Sequence, residues 1–212
     1  MLVACEFSGI VREAFKAKGH DAWSCDLLDT EIPGQHYKGD VFDIINDGWD
    51  LMIAHPPCTF LSNAGIAYFN ETKYGAKAIE RKEKRLEGAD FFIKLYNCSI
   101  SKIAIENPVG WMNLNFRKPD QIVRPFYFGE SIQKNICLWL KNLPLLIHNK
   151  QKTLFELQTH TDNKPQPAYI DKSVKPRYFT DSISGYSKDA KKNRSRFFPS
   201  IANAMADQWG NL

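Results

Sequence analysis

Short apolar runs alternate with helical stretches through the first half of this chain, and each run stops on a polar residue. Leu2, Val3, Ala4 and Cys5 form the first run, which ends in Glu6, Phe7, Ser8 and Gly9. Residues 10–18 then follow helical spacing up to Gly19, with Val11, Ala14 and Phe15 on one side and Arg12, Lys16 and Lys18 on the other. A second strand over 20–25 finishes at Asp26, and a third over 37–40 ends in Gly39 and Asp40. A fourth over 50–54 stops at His55, Pro56, Pro57 and Cys58. A long helix is predicted over 76–96, and it leads to Ile103, Ala104 and Ile105, followed by Glu106, Asn107 and Pro108. Strands this apolar, separated by helices, predict an α/β fold whose parallel sheet is covered on both faces.

Beyond Gly110 the pattern changes. It predicts strands over 135–140 and 143–147, a polar, loop-rich stretch near 150–193, and a closing helix over 200–208 with Ile201, Met205 and Trp209 on one side. The expected organisation is one domain over 1–212, with an irregular insertion at 145–193 and a C-terminal segment at 194–212.

Composition narrows the function classes. The 212 residues are 43% hydrophobic and 13% aromatic, enough for an ordinary core without covalent staples. No apolar run approaches the roughly 18 residues of a membrane span, and no secretory leader is recognised, so a cytoplasmic protein with no membrane partner is expected. The five cysteines are odd in number and widely spaced, which suggests neither a disulfide framework nor a metal site. A net charge of +4 permits nucleic acid without requiring it.

Glu6, Asp26, Asp40, Cys58 and Glu106 all follow apolar strands. In an open parallel sheet that is one edge, the crevice where ligands bind. Gly9 allows close backbone approach at the first turn, and Asp26 stands where an acid can bind a ribose. Asp26 is equally suited to an Asx turn or a helix cap. Two prolines hold Cys58 at a rigid strand exit, which suits a nucleophilic thiolate, although a lone cysteine is commonly an inert core residue. Glu106, half-buried after an apolar strand, is expected to have a raised pKa and to hold a proton near neutrality.

The ordered set Phe7-Ser8-Gly9, Asp26, Gly39-Asp40, Pro56-Pro57-Cys58 and Glu106-Asn107-Pro108 resembles the DNA cytosine-5 methyltransferases. It is most similar to their short phage and prophage members, over most of the chain and least over 145–190. The resemblance implies a Rossmann-like S-adenosylmethionine-dependent fold in which 145–193 is a reduced target-recognition and DNA-contact insertion and 194–212 returns to the cofactor pocket. It implies S-adenosylmethionine held by Glu6, Phe7, Ser8, Gly9, Asp26, Asp40, Pro56 and Ser200. It also implies a cytosine flipped out of DNA, with Cys58 adding to C6, Glu106 engaging N3 and the amine, and Gln133 and Lys134 supporting the catalytic loop. Pro57, Asn107, Pro108, Lys191, Arg194 and Arg196 are the residues expected to contact substrate, in a restriction-modification setting within a bacterial or phage-infected cell.

Cys5, Val11, Pro108 and Lys134 depart from the usual residues of that family at their positions. Other readings are an amino-methyltransferase acting on adenine N6 or cytosine N4, the same C5 chemistry on RNA or with a modified methyl donor, and a catalytically inactive DNA-binding protein. The amino-methyltransferase wants Asp or Asn before Pro-Pro and an aromatic after it, where this chain has His55 and Cys58.

Eight Lys/Arg and two Asp/Glu lie between 172 and 196, with Tyr178, Phe179 and Tyr186 among them, a pattern suited to phosphates and bases. The six basic and five acidic residues over 71–90 are expected instead to form a solvated face laced with i,i+4 pairs.

Overall fold

The computed structural model describes residues 1–148, 165–167, 169–170, 176–177 and 195–212. Its elements are β1 (Leu2–Ala4), α1 (Ile10–Lys16), β2 (Trp23–Asp26), β3 (His36–Lys38), β4 (Leu51–Ala54), α2 (Glu71–Tyr74) and α3 (Ala76–Tyr96). They continue with β5 (Lys102–Pro108), α4 (Met112–Asn115), β6 (Gln121–Val123), β7 (Ile136–Lys141), β8 (Tyr169–Ile170), β9 (Pro176–Arg177) and α5 (Pro199–Trp209). Most of 145–193, including most of the basic segment and Lys191, lies outside the described residues, as does Arg194.

The main sheet has seven strands in the order β3-β2-β1-β4-β5-β7-β6. Strands β1 to β5 run parallel, and β7 is antiparallel to both β5 and β6. The fold is therefore α/β with a mixed, mostly parallel sheet of Rossmann-like type. The chain winds outward from β1 to β3, then crosses back to β4 on the other side of β1. That reversal opens a crevice outside the carboxyl ends of β1 and β4.

The sheet is apolar on both faces because helices cover both. Val3, Ile53 and Ala104 join one core with Phe15 of α1 and Ile201, Met205 and Trp209 of α5. Leu2, Ala4, Met52, Ile103 and Ile105 join the other with Phe92 and Leu95 of α3 and with Trp139. Alternate residues of each strand thus enter opposite cores, which is why the strands read as unbroken apolar runs. Among the described residues, no helix is long and apolar enough to cross a membrane.

Three local expectations are corrected. Arg12, assigned by periodicity to the polar side of α1, is fully buried, because the loop over 27–35 folds across it. The strand expected over 143–147 is absent. Instead, the side-chain amide of Gln121 bonds Leu146 N and O at 2.9 and 2.8 Å, and that of Gln208 bonds Ile147 N and O at 2.7 and 2.9 Å. Strand β6 was not anticipated; only one of its three residues is fully buried, so it carries little apolar signal.

Candidate active site

The first wall of the crevice is the turn from β1 into α1. Cys5 takes a positive φ of 58°, uncommon for a residue with a side chain, and turns the chain sharply at the strand end. Glu6 follows and is buried. Its carboxylate accepts from Val11 N at 2.6 Å, Arg12 N at 3.3 Å and Ser8 Oγ at 3.2 Å. The N-terminal amides that could bind a phosphate at this turn are therefore already taken by a carboxylate of the chain itself. A nucleotide cannot dock here by its phosphates as it does at the glycine-rich turn of dinucleotide-binding sheets.

Gly9 caps α1 at φ 76°, and a Cβ there would lie 2.8 Å from Arg12 Nη2. The Arg12 guanidinium reaches Ser24 Oγ at 2.9 Å, Thr30 Oγ1 at 3.2 Å and Ile32 O at 2.5 Å. It thereby ties the 27–35 loop to α1, and Glu31 N donates to Phe7 O at 2.8 Å. The backbone of Phe7, Ser8 and Gly9 is held rigidly, with the Glu6 side chain turned inward.

At the end of β2, Asp26 Oδ1 accepts from Leu28 N at 2.9 Å, so the Asx turn is formed. Burial raises the Asp26 carboxyl above the ordinary range, against the opposing pull of that N–H. Leu27, Leu28 and Ile32 are exposed beside it and form an apolar lip. Asp40 caps the short turn after β3 by accepting from Phe42 N at 3.0 Å.

The second wall is built by β4 and β5. Ala54 pairs with Ile105, so the next residues, His55 and Glu106, emerge side by side. His55 Nδ1 lies 3.4 Å from Glu106 Oε2, and both side chains are largely enclosed. The His55 ring packs on Phe197 with centroids 4.6 Å apart. Asn107 is buried, and its Nδ2 donates to Pro56 O at 2.9 Å, which anchors the Pro-Pro turn. Cys58 at the end of that turn is exposed.

The other thiols near this edge differ. Burial pushes Cys5 far up and Cys25 up to about 12, so neither is a thiolate near neutrality.

Glu106 reverses the expectation of a raised pKa. Burial pushes its carboxyl up, but the hydrogen bond from His55 and the charge of Lys134 outweigh burial and hold it below the ordinary value. Such a carboxylate stabilises the fold above its unfolded-state value, about 4.3, and the contribution is lost as pH falls through the folded-state value. Glu106→Gln is therefore expected to lower the unfolding temperature at pH 7, with the gap to wild type closing below about pH 4. Calorimetry of both proteins over that range measures it, and a gap that widened on acidification would contradict an ionised Glu106.

Past Cys58 the chain is pinned to the segment that follows Glu106. Trp111 N donates to Leu61 O at 2.7 Å and Asn63 N to Val109 O at 3.3 Å, with Gly110 bridged to Ser62. A Cβ on Gly110 would lie 2.0 Å from Leu61 O. The two halves of the site are thus in backbone contact.

The C-terminal segment closes the crevice from above. Arg196, expected to contact substrate, forms two bonds to Glu31, at 2.7 and 2.9 Å. Ser200 N donates to Glu130 Oε1 at 2.8 Å, and Lys134 Nζ lies 5.3 Å over the Phe198 ring. Four polar atoms on these elements are buried with no hydrogen-bond partner among the described residues: His55 Nε2, Asn107 Oδ1, Gln133 Oε1 and Ser200 Oγ. Buried polar atoms are ordinarily paired; of these four, His55 Nε2 and Asn107 Oδ1 belong to the strand ends that carry the Pro-Pro turn and Glu106.

Sequence reasoning missed His55, Glu31, Glu130 and Phe197 as parts of this site. Of these only His55 carried a local signal, its place directly before the Pro-Pro turn. No family model matches this chain, and no curated protein matches it.

Proposed function

We propose that this chain transfers a methyl group from S-adenosylmethionine to C5 of cytosine in DNA, through a covalent adduct of Cys58 with a flipped base. The observation that carries the reading is the pairing of an exposed cysteine, on a turn held by Asn107, with an enclosed carboxylate on the adjacent strand end, at the switch point of the sheet.

The residues fit the cofactor. Glu6 fills the first turn of α1 and leaves no phosphate site, which suits a nucleoside without phosphates. Asp26 would accept from the ribose hydroxyls, and the exposed Leu27 and Leu28 beside it would cover the adenine. Bound there, S-adenosylmethionine would supply an electrophilic methyl group to C5.

Cys58 Sγ, as thiolate, forms a bond to C6. The C5=C6 electron pair moves toward C4, and the C4=N3 pair settles on N3, which takes a proton. Glu106 serves that edge of the ring: it accepts from the 4-amino group, and closure of the base over it removes solvent and raises its proton affinity. The proton given up by the Cys58 thiol passes to Glu106, which delivers it to N3 and takes it back once C5 has gained the methyl group; the C5 proton then passes to water as the C6–S bond breaks and its electron pair returns to Sγ. The Lys134 charge acts on Glu106, and Gln133 precedes it in the chain as the proposed support of the loop.

The test is intact mass spectrometry of the protein incubated with S-adenosylmethionine and DNA carrying 5-fluorocytosine, beside Cys58→Ser. Fluorine at C5 blocks the final elimination, so a methylated protein–DNA adduct is expected for wild type alone. Absence of any adduct across varied DNA sequences, with cofactor binding demonstrated, would overturn the reading.

A further inference from the structure

Immediately after Cys58 the chain forms a loop that wraps an arginine of α3. The Arg81 guanidinium lies 4.9 Å from the Phe60 ring centroid, 5.5 Å from Tyr68 and 5.1 Å from Phe69. Arg81 Nη2 donates to Thr59 O at 3.4 Å, and Arg85 Nε donates to Phe60 O at 3.1 Å. Gly65 makes room for the wrap, since a Cβ there would lie 2.7 Å from Arg81 Nη2. These contacts give the loop a fixed shape. Arg81 Nε is nevertheless buried without a partner among the described residues.

Outside that clasp lies a cavity of about 360 Å³, lined by Phe60, Tyr68, Tyr74, Lys77, Glu80, Arg81 and Lys84. Its size is in the range of small-ligand sites. Three aromatic rings and three cations face one acid, which is the composition of a surface that stacks bases and neutralises phosphates.

The charge on α3 is partly sorted by face, although Lys94 lies among the acids of the outer stripe. At about 100° per residue, Lys77, Arg81, Lys84 and Arg85 fall in one stripe, while Glu83, Glu87 and Asp90 fall in another. Pairs such as Lys84 with Glu80 and Lys94 with Asp90 are present. Yet the stripe toward the loop is cationic, which a uniformly solvated helix does not require. Phe60 is two residues from Cys58, at most about 7 Å along the chain, so the cavity lies within one nucleotide's reach of the thiol.

We propose that the cavity between the Cys58 loop and α3 holds the nucleotide next to the target base of a DNA strand. The exposed Tyr68, whose ring meets Tyr74 with centroids 5.4 Å apart, stacks its base, and Lys77 contacts its phosphate, joined by Lys84 as it exchanges Glu80 for the phosphate. This rests on the reading of Cys58 as the nucleophile acting on DNA.

The experiment is fluorescence anisotropy of the full-length protein with a labelled cytosine-containing oligonucleotide, single-stranded and duplex, over a salt series. Wild type is compared with Lys77→Ala/Lys84→Ala and Tyr68→Ala, exposed positions whose folding is checked by circular dichroism. The double variant is expected to weaken binding about tenfold or more at low salt and to reduce the logarithmic salt slope by about 1.5–2. Tyr68→Ala is expected to weaken binding about tenfold. Wild-type affinity and slope in both variants would overturn the proposal, as would an RNA of the same sequence depending on these residues while DNA did not. Fluorocytosine trapping at saturating DNA is run in parallel. Adduct formation that persists while affinity is unaffected by the variants sinks the cavity and keeps the chemistry; affinity lost without any wild-type adduct sinks the chemistry and keeps the cavity as a DNA site.

Discussion

Replacing Cys58 with alanine is expected to reduce methyl transfer by on the order of 10⁴-fold or more, since the step it removes is the bond to the ring itself. The fold should not notice. Cys58 is exposed, and surface substitutions of this kind usually change stability by less than about 0.5 kcal/mol. Binding of S-adenosylmethionine should be retained, and DNA affinity should stay within a few-fold. No other thiol near this edge can take over, because burial pushes up Cys5, Cys25 and also Cys137, which on β7 pairs with Asn107. Radiolabelled methyl transfer, measured beside calorimetry of the same preparation, separates chemistry from folding. Wild-type turnover in Cys58→Ala would remove the nucleophile from the mechanism.

The second large effect is expected at Gly110, a residue that touches no substrate. A Cβ there would meet Leu61 O at 2.0 Å, Leu61 C at 2.9 Å and Ser62 Cα at 3.0 Å. All three are backbone atoms, so no rotamer change relieves the clash; the loop after Cys58 or the segment after Glu106 must move. Gly110→Ala should cost about 1–3 kcal/mol or more, lowering the unfolding temperature by roughly 3–12 °C. Misplacing a reactive group by about 1 Å can cost a hundredfold in rate, so adduct formation should fall even where the protein stays folded. Gly88→Ala is the contrast. Its Cβ would meet Leu61 at 3.8 Å, an ordinary contact inside α3, and helix propensity predicts a gain of up to about 1 kcal/mol. Equal outcomes for the two substitutions would deny Gly110 its role as a backbone clasp.

What the sequence revealed divides along physical lines. The strands β1, β2, β4 and β5 were legible because their residues are buried among apolar neighbours, and burial leaves a pattern; α3 was legible because Gly75 stands before it and its run of helix-favouring residues ends in the apolar turn of Phe92 and Leu95. The polar residues at the strand ends could be assigned to one edge for the same reason. Arg12 was misplaced because periodicity registers polarity, and no local rule reports that a later loop will bury a guanidinium against Ser24 and Ile32 O. The 143–147 run reads as a strand because Leu146 is buried, although its backbone bonds to side-chain amides and not to a ladder. The ionisation of Glu106 depended on His55 and Lys134, 51 positions before it in the first case. Strand register decided that, and register is invisible one segment at a time. The clasp at Gly110 is of the same kind, since only the folded chain shows that Leu61 O lies against it.

The bridge between Glu31 and Arg196 joins positions 165 residues apart. During synthesis at about 5–20 residues per second, its two ends are made roughly ten to thirty seconds apart. Throughout that interval α1 has no α5 to pack against, and the turn at Phe7, Ser8 and Gly9 lacks its cover. The crevice therefore closes only once both ends of this bridge have been made, however early its strands have paired.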